Sequence, residues 1–174
     1  MILKYDELST LRNNTNKRIG LFKGTFDLIH HDHVKLINML KSYCDMLVVE
    51  IKSDADVQAK KGNSRPIINE NDRAYIVDNL KSVDYVIIGD KKQMTQYIAS
   101  IIGDKAYSQS DLNKIMRDGY LIELLRPNVI FTSDEKPVPE IITDFCNQLG
   151  VEIKILPMQT GMHTTDIINK CKNL

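Results

Sequence analysis

Apolar residues along this chain fall into two kinds of pattern, and they alternate. Short runs rich in Ile, Val and Leu, with little polar alternation, lie at 19–22, 46–51, 84–88, 128–131 and 151–155. Between them, apolar positions recur at spacings of three and four over 33–43, 70–81 and 138–149. Continuous β-branched runs read as strands buried on both faces, and the three-and-four spacing reads as amphipathic helix. Strands alternating with helices predict an open, mostly parallel five-stranded sheet with helices on both faces, an α/β layer fold of the Rossmann type. Ligands of such sheets bind outside the carboxyl ends of the strands, where the strand order reverses.

Within this frame, helix 33–43 turns Leu36, Ile37, Leu40 and Tyr43 to one side, with Asp32 as its expected N-cap. Helix 70–81 uses Ile76, Val77 and Leu80 for the core and carries Arg73 near its amino end. Residues 1–17 read as a short helix or arm that ends in the polar run Asn13-Asn14-Thr15-Asn16-Lys17. Residues 90–118 fit the alternation least well and read as an extra segment of two short helices, with Ser108 or Ser110 as a cap. Without internal repeats or a low-complexity linker, residues 1–174 are expected to form a single domain.

Charge narrows the function classes. The chain carries 23 basic and 23 acidic residues, a formal net charge of zero. That balance argues against a general nucleic-acid or membrane-surface binder, while leaving room for a local cationic pocket. Cys44, Cys146 and Cys171 are odd in number and widely spaced. They read as reduced thiols of a cytoplasmic protein rather than as a disulfide framework or a zinc set. Charge arrives within the first seven residues, too early for a signal peptide, and no apolar run approaches the ~20 residues of a membrane span.

The chemistry concentrates in three places. The first is Gly24-Thr25-Phe26-Asp27-Leu28-Ile29-His30-His31-Asp32-His33, a turn that follows the first long strand and opens a helix. Free backbone N–H groups at such a turn attract phosphate, and the imidazoles of His30 and His33 can hydrogen-bond its oxygens. The second is Ser53-Asp54 followed by Lys60-Lys61-Gly62-Asn63-Ser64-Arg65-Pro66, a flexible cationic loop beyond a strand end. Lys offers a mobile point charge and Arg a planar fork to a triphosphate; a merely solvated loop is the alternative. The third, Gly161-Met162-His163-Thr164-Thr165-Asp166-Ile167-Ile168, repeats the design of a glycine turn, hydroxyl groups and a helix start, and an ordinary capped helix is its alternative. Neither Gly-x-Gly-x-x-Gly nor a Walker loop is present, and His30-x-x-His33 without a third ligand spaced nearby is a poor zinc site.

Together these segments resemble the cytidylyltransferase-like nucleotidyltransferases, among them glycerol-3-phosphate cytidylyltransferases and the adenylyltransferase domain that forms ADP-heptose. The family's Gly-x-Phe-Asp-x-x-His-x-Gly-His is matched by Gly24, Phe26, Asp27, His30 and His33. Its Lys-Gly…Arg-Pro segment resembles Lys61-Gly62 with Arg65-Pro66, and its next acidic-Arg and Val-Asp pairs resemble Asp72-Arg73 and Val83-Asp84. Its closing Gly-x-Ser-Thr-Thr-x-Ile-Ile is similar to 161–168, and its Pro-Asp-Val approach to a strand resembles 127–129. The likeness runs in order over 18–90 and 121–172. Four residues depart from it: Asp32 for a glycine, Glu50 for a small residue, Met158 for an arginine and His163 for a hydroxyl.

The resemblance implies a nucleotidyltransferase fold. It also implies transfer of a nucleoside monophosphate from a triphosphate, CTP before ATP, to a phosphorylated small alcohol or sugar, with release of pyrophosphate and Mg²⁺ as cofactor. The catalytic residues it implies are His30, His33 and Lys61. The nucleotide-binding residues are Lys23, Gly24, Thr25, Phe26, Asp54, Arg65, Arg73, Gly161, Thr164 and Thr165, with no residue assigned to a metal. Asp27 is expected to orient the turn rather than to touch substrate. A homodimer is implied as well, to which Tyr97, Ile98, Ile101 and Ile102 offer apolar surface. The alternatives are an ATP-dependent adenylyltransferase of the sugar-phosphate type, and a catalytically weak homologue serving as a nucleotide- or partner-binding module.

Overall fold

A computed structural model of the chain describes residues 1–89, 108, 119–134, 138–157 and 164–172. All strands of its one sheet run parallel, in the order β1-β4-β3-β2-β5-β6. The elements in chain order are β1 (Ile2–Leu3), α1 (Tyr5–Asn13), β2 (Ile19–Gly24), α2 (His31–Lys41), β3 (Met46–Ile51), α3 (Asp54–Lys61), α4 (Glu70–Asp78) and β4 (Tyr85–Ile88). Then follow α5 (Tyr120–Leu125), β5 (Val129–Ser133), α6 (Glu140–Leu149), β6 (Glu152–Leu156) and α7 (Thr164–Lys172).

Side chains on the two faces of each strand enter two separate cores, as parallel sheets covered on both sides require. On one face Ile19, Leu21, Met46, Val48 and Ile87 meet Leu8 of α1, Leu121 and Leu125 of α5 and Ile142 of α6. On the other, Leu47, Val49, Ile51 and Phe131 meet Ile37 and Leu40 of α2 with Ala74 and Val77 of α4. Each fully buried Leu, Ile or Val contributes roughly 1.5–3 kcal/mol relative to exposure. The two cores therefore clamp the central strands β2 and β3 and fix where their carboxyl ends emerge.

The sheet has six strands where five were expected. The sixth, β1, is two residues long and pairs with β4 at the sheet edge. A pair of residues carries no period, so its place comes from the partner strand. Helix α2 begins at His31 with His30 as the N-cap, so Asp32 is not the cap but the second helical residue. Lys60 and Lys61 form the last turn of α3 rather than part of a flexible loop. Most of 90–118 lies outside the described residues, including Tyr97, Ile98, Ile101 and Ile102, and so do Met158, Gly161 and His163. Among the described residues no helix is long and apolar enough to cross a membrane.

Candidate functional site

Strand order reverses between β2 and β5, because β3 and β4 lie to one side of β2 and β5 and β6 to the other. The turn after β2 therefore stands at the crevice where α/β sheets bind ligands. It is held tightly. A Cβ on Gly24 would overlap the Phe26 ring, so only glycine lets that ring fold back over the strand end. Phe26 and Leu28 both adopt left-handed backbone conformations, with φ of 54° and 49°. Such conformations in non-glycine residues persist where the surroundings over-determine them.

Asp27, between those two residues, does the determining. Its side chain is buried, and the carboxylate accepts the N–H groups of Ile67 and Ile68, each at 3.1 Å. Arg65 adds Nε at 2.8 Å and Nη2 at 2.7 Å to the same oxygen, Oδ2. The Asp27 carbonyl in turn accepts the Thr164 hydroxyl at 2.7 Å, which ties the first residue of α7 to the turn. Three segments that are distant in sequence, the turn, the loop after α3 and the start of α7, thus meet at one residue. Carboxylate bonds to Arg and to backbone N–H groups are among the stronger ones in proteins.

A second junction lies behind the first. Arg73, expected at the nucleotide, has no exposed surface. Its guanidinium donates to the carbonyls of Ile68 at 2.9 Å and Lys52 at 2.8 Å, to the Thr25 carbonyl, and to Asp54 Oδ1 at 2.6 Å. Asp54 opens α3, and its N–H donates to Glu70 of α4 at 2.5 Å. Arg65, Arg73 and Asp54 are therefore brought to the site as its scaffold.

The face left for a ligand carries the histidines. The His30 N–H donates to His33 Nδ1 at 3.3 Å, and the two rings lie 4.0 Å apart between centroids. With Nδ1 accepting, the proton of neutral His33 resides on Nε2, which becomes a donor. Burial pushes the His33 pKa down to about 4; the neighbouring charges of His30 and Lys61 lower it further, and Asp32 opposes them. His33 is therefore a neutral hydrogen-bond donor at neutral pH, not a cation. Its response to Lys61 also places that ammonium, at the end of α3, within electrostatic reach of the histidines.

Two features escape the sequence pattern. Lys23 Nζ lies 2.8 Å from Glu50 Oε2, across register-paired positions of β2 and β3, and the Glu50 side chain is buried. The carboxylate beside it compensates the Lys23 charge. In the first turn of α2, His31 Nε2 lies 2.9 Å from Asp32 Oδ1, and His30 Nδ1 lies 4.0 Å from Asp32 Oδ2. Thr165 is exposed on the first turn of α7, and Gly161 lies outside the described residues. Glu50 and Asp32 are the signals sequence offers, as acids where the resembling family has small residues; the pairs they form depend on the fold.

Comparison with known proteins bears on this geometry. The cytidylyltransferase-like family model matches residues 21–170. The bifunctional protein HldE of Aliarcobacter butzleri is 30% identical over 97% of this chain and 31% of its own length. That of Geobacter metallireducens is 33% identical over 88% of this chain and 27% of its own. The chain thus spans under a third of these relatives. Among solved structures, the lipopolysaccharide core biosynthesis protein of Thermoplasma volcanium superposes with a TM-score of 0.55 at 24% identity, over 84% of this chain and 100% of that one. The pantoate-beta-alanine ligase of Francisella tularensis gives 0.66 at 18% identity, over 100% of this chain and 78% of that one. These two likenesses establish the fold.

Proposed function

The chain belongs to the cytidylyltransferase-like family, and on that premise we propose that it moves a nucleoside monophosphate from a triphosphate to a phosphorylated small alcohol or sugar. CTP is the first choice of donor. The observation that carries the reading is the Asp27 junction, which gathers the histidine turn, the segment after Lys61 and the start of α7 at the reversal of strand order.

An oxygen of the acceptor phosphate attacks the α-phosphorus, the bond to the bridging β-oxygen breaks, and pyrophosphate leaves. A phosphate monoester loses its second proton near pH 6, so the attacking oxygen is ionised without a strong base. Catalysis then rests on holding the reactants in line and on donors aimed at the growing charge. His33 Nε2–H and His30 donate to the α- and β-phosphate oxygens. Lys61 adds charge from the end of α3. The backbone of Gly24, Thr25 and Phe26 borders the phosphates, with Lys23 at the end of β2. The amino end of α7, docked by Thr164 and carrying Thr165, receives the pyrophosphate. Arg65, Arg73 and Asp54 serve as positioning residues that keep the turn in shape. Mg²⁺, carried in with the triphosphate, would neutralise charge on its phosphates.

ATP as donor is the second reading, favoured by the likeness of Lys61-Gly62…Arg65-Pro66 and of the closing segment to the ADP-heptose-forming type. A catalytically weak nucleotide-binding protein is the third, favoured by the compensation of Lys23 by Glu50. One experiment separates them: CTP and ATP, each with Mg²⁺, set against glycerol 3-phosphate, phosphocholine and sugar 1-phosphates, read by pyrophosphate release. Release with CTP and one acceptor class is expected. Release with ATP alone selects the second reading, and triphosphate binding without any release selects the third.

A further inference from the structure

We propose that His30, His31 and Asp32 form a binding site for a divalent first-row transition ion and prefer it to Mg²⁺. The role of that ion in catalysis rests on the nucleotidyl-transfer reading; the existence of the site does not.

The three residues are consecutive, and the first turn of α2 folds their donors together. One ligand atom from each, a ring nitrogen of His30, a ring nitrogen of His31 and a carboxylate oxygen of Asp32, lies within 4.8 Å of the other two. The closest pair, His31 Nε2 and Asp32 Oδ1, is 2.9 Å apart. Ions of this class sit roughly 2.0–2.2 Å from nitrogen and oxygen ligands, so two ligands of one ion stand at most about 4.4 Å apart. Neighbouring ligands at right or tetrahedral angles stand about 3–3.5 Å apart, so closing the set takes a shift on the order of an ångström. The part that must shift is free to do so: the His31 side chain is 62% exposed, whereas those of His30 and Asp32 are 12% and 15% exposed and held in place.

Charge supplies the second argument. The Asp32 carboxylate supplies the negative charge that draws a cation to this turn. A divalent ion on Asp32 turns a local charge of minus one into plus one. The helix dipole, worth about half a charge at the amino end, opposes a cation in this turn, and the Asp32 carboxylate more than cancels it. His30 can serve the ion and the nucleotide at once, because its Nδ1 faces Asp32 while Nε2 lies on the other side of the ring. His33 lies outside the three mutually close donors.

Donor chemistry decides the ion. Two imidazoles and one carboxylate suit the series from Mn²⁺ to Zn²⁺, whereas Mg²⁺ is served by oxygen. Three protein ligands also leave coordination positions open for water or a phosphate oxygen, as in catalytic rather than structural sites.

The test is titration of the whole chain with cobalt(II) chloride in the absence of nucleotide, followed by visible absorption and calorimetry. One equivalent is expected to bind at micromolar concentration with a ligand-field band, and millimolar Mg²⁺ is expected not to displace it. His31→Gln and Asp32→Asn should each weaken binding at least tenfold with circular dichroism unchanged. Binding weaker than millimolar, displacement by millimolar Mg²⁺, or an affinity that neither substitution alters would overturn the proposal. Cobalt binding that obeys these expectations in a protein that releases no pyrophosphate with any acceptor would uphold the site and remove the reaction.

Discussion

Asp27 and Asp32 lie five residues apart on the same turn, and their surroundings are opposites. Asp27 is buried, and its carboxylate is met by one guanidinium and two backbone N–H groups. Asp32 is partly buried, and two histidines of its own turn lie beside it. One acid has been spent on shape and the other kept for exchangeable partners. The same division separates the cations: Arg73 and Arg65 hold the scaffold, while Lys61 stands exposed at the end of α3.

The comparison breaks most visibly at the scaffold. Asp27→Ala strands a buried guanidinium and two N–H groups, and removal of one partner of a buried ion pair costs about 3–5 kcal/mol. Arg73→Met strands Asp54 and three carbonyls and is expected to cost as much. Urea unfolding should place both midpoints well below that of the parent chain. A midpoint within experimental error for Asp27→Ala would show that the junction is not what holds the turn.

His33→Ala tests the other side of the division. Loss of one donor to developing charge typically costs 10²–10³ in turnover, or about 3–4 kcal/mol of barrier. Turnover and its ratio to the Michaelis constant should fall together, while the unfolding midpoint moves far less than in Asp27→Ala. Equal losses of stability in the two variants would erase the distinction.

Thr164→Val removes one hydroxyl bond to the Asp27 carbonyl and leaves the side chain's volume nearly unchanged. The expected stability cost is about 1 kcal/mol. Hydrogen exchange should show faster exchange in 164–172 with the β2 and β3 amides unaffected; uniform protection would place the anchor of α7 elsewhere. Gly89→Ala bears on the Lys23–Glu50 pair. The new Cβ would lie 2.8 Å from Glu50 Oε1, the end of a buried side chain, so the carboxylate must shift. That shift should alter affinity for CTP or ATP in calorimetry if Lys23 borders the nucleotide, and unchanged affinity for both would remove Lys23 from the nucleotide site.

Patterns of apolar residues carried the fold, and their reach ended where pattern ends. β3 is legible at both ends because it is apolar but for Glu50 and buried on both faces. β1 is invisible because two residues have no period. The start of α2 misleads, since an aspartate is the expected cap, yet the residue with the extended backbone of a cap is His30. Lys60 and Lys61 look like a loop beside glycine and proline, but Ser53 caps the preceding turn by accepting the Asp56 N–H, and the helix runs on until Gly62. Of the candidate site residues, His30, His33 and Lys61 are legible as polar groups near a turn. What sequence does not carry is direction: Arg65 and Arg73 are as basic as any phosphate ligand, and only the fold turns them inward.

The hydroxyl bond from Thr164 to Asp27 spans 137 residues of chain, and this has a meaning for biosynthesis. A ribosome adds roughly 5–20 residues each second, so the turn after β2 waits on the order of ten seconds for the helix that completes it. A chain that ends before Thr164 lacks the hydroxyl that the Asp27 carbonyl accepts. The turn takes its final form only once α7 has been made.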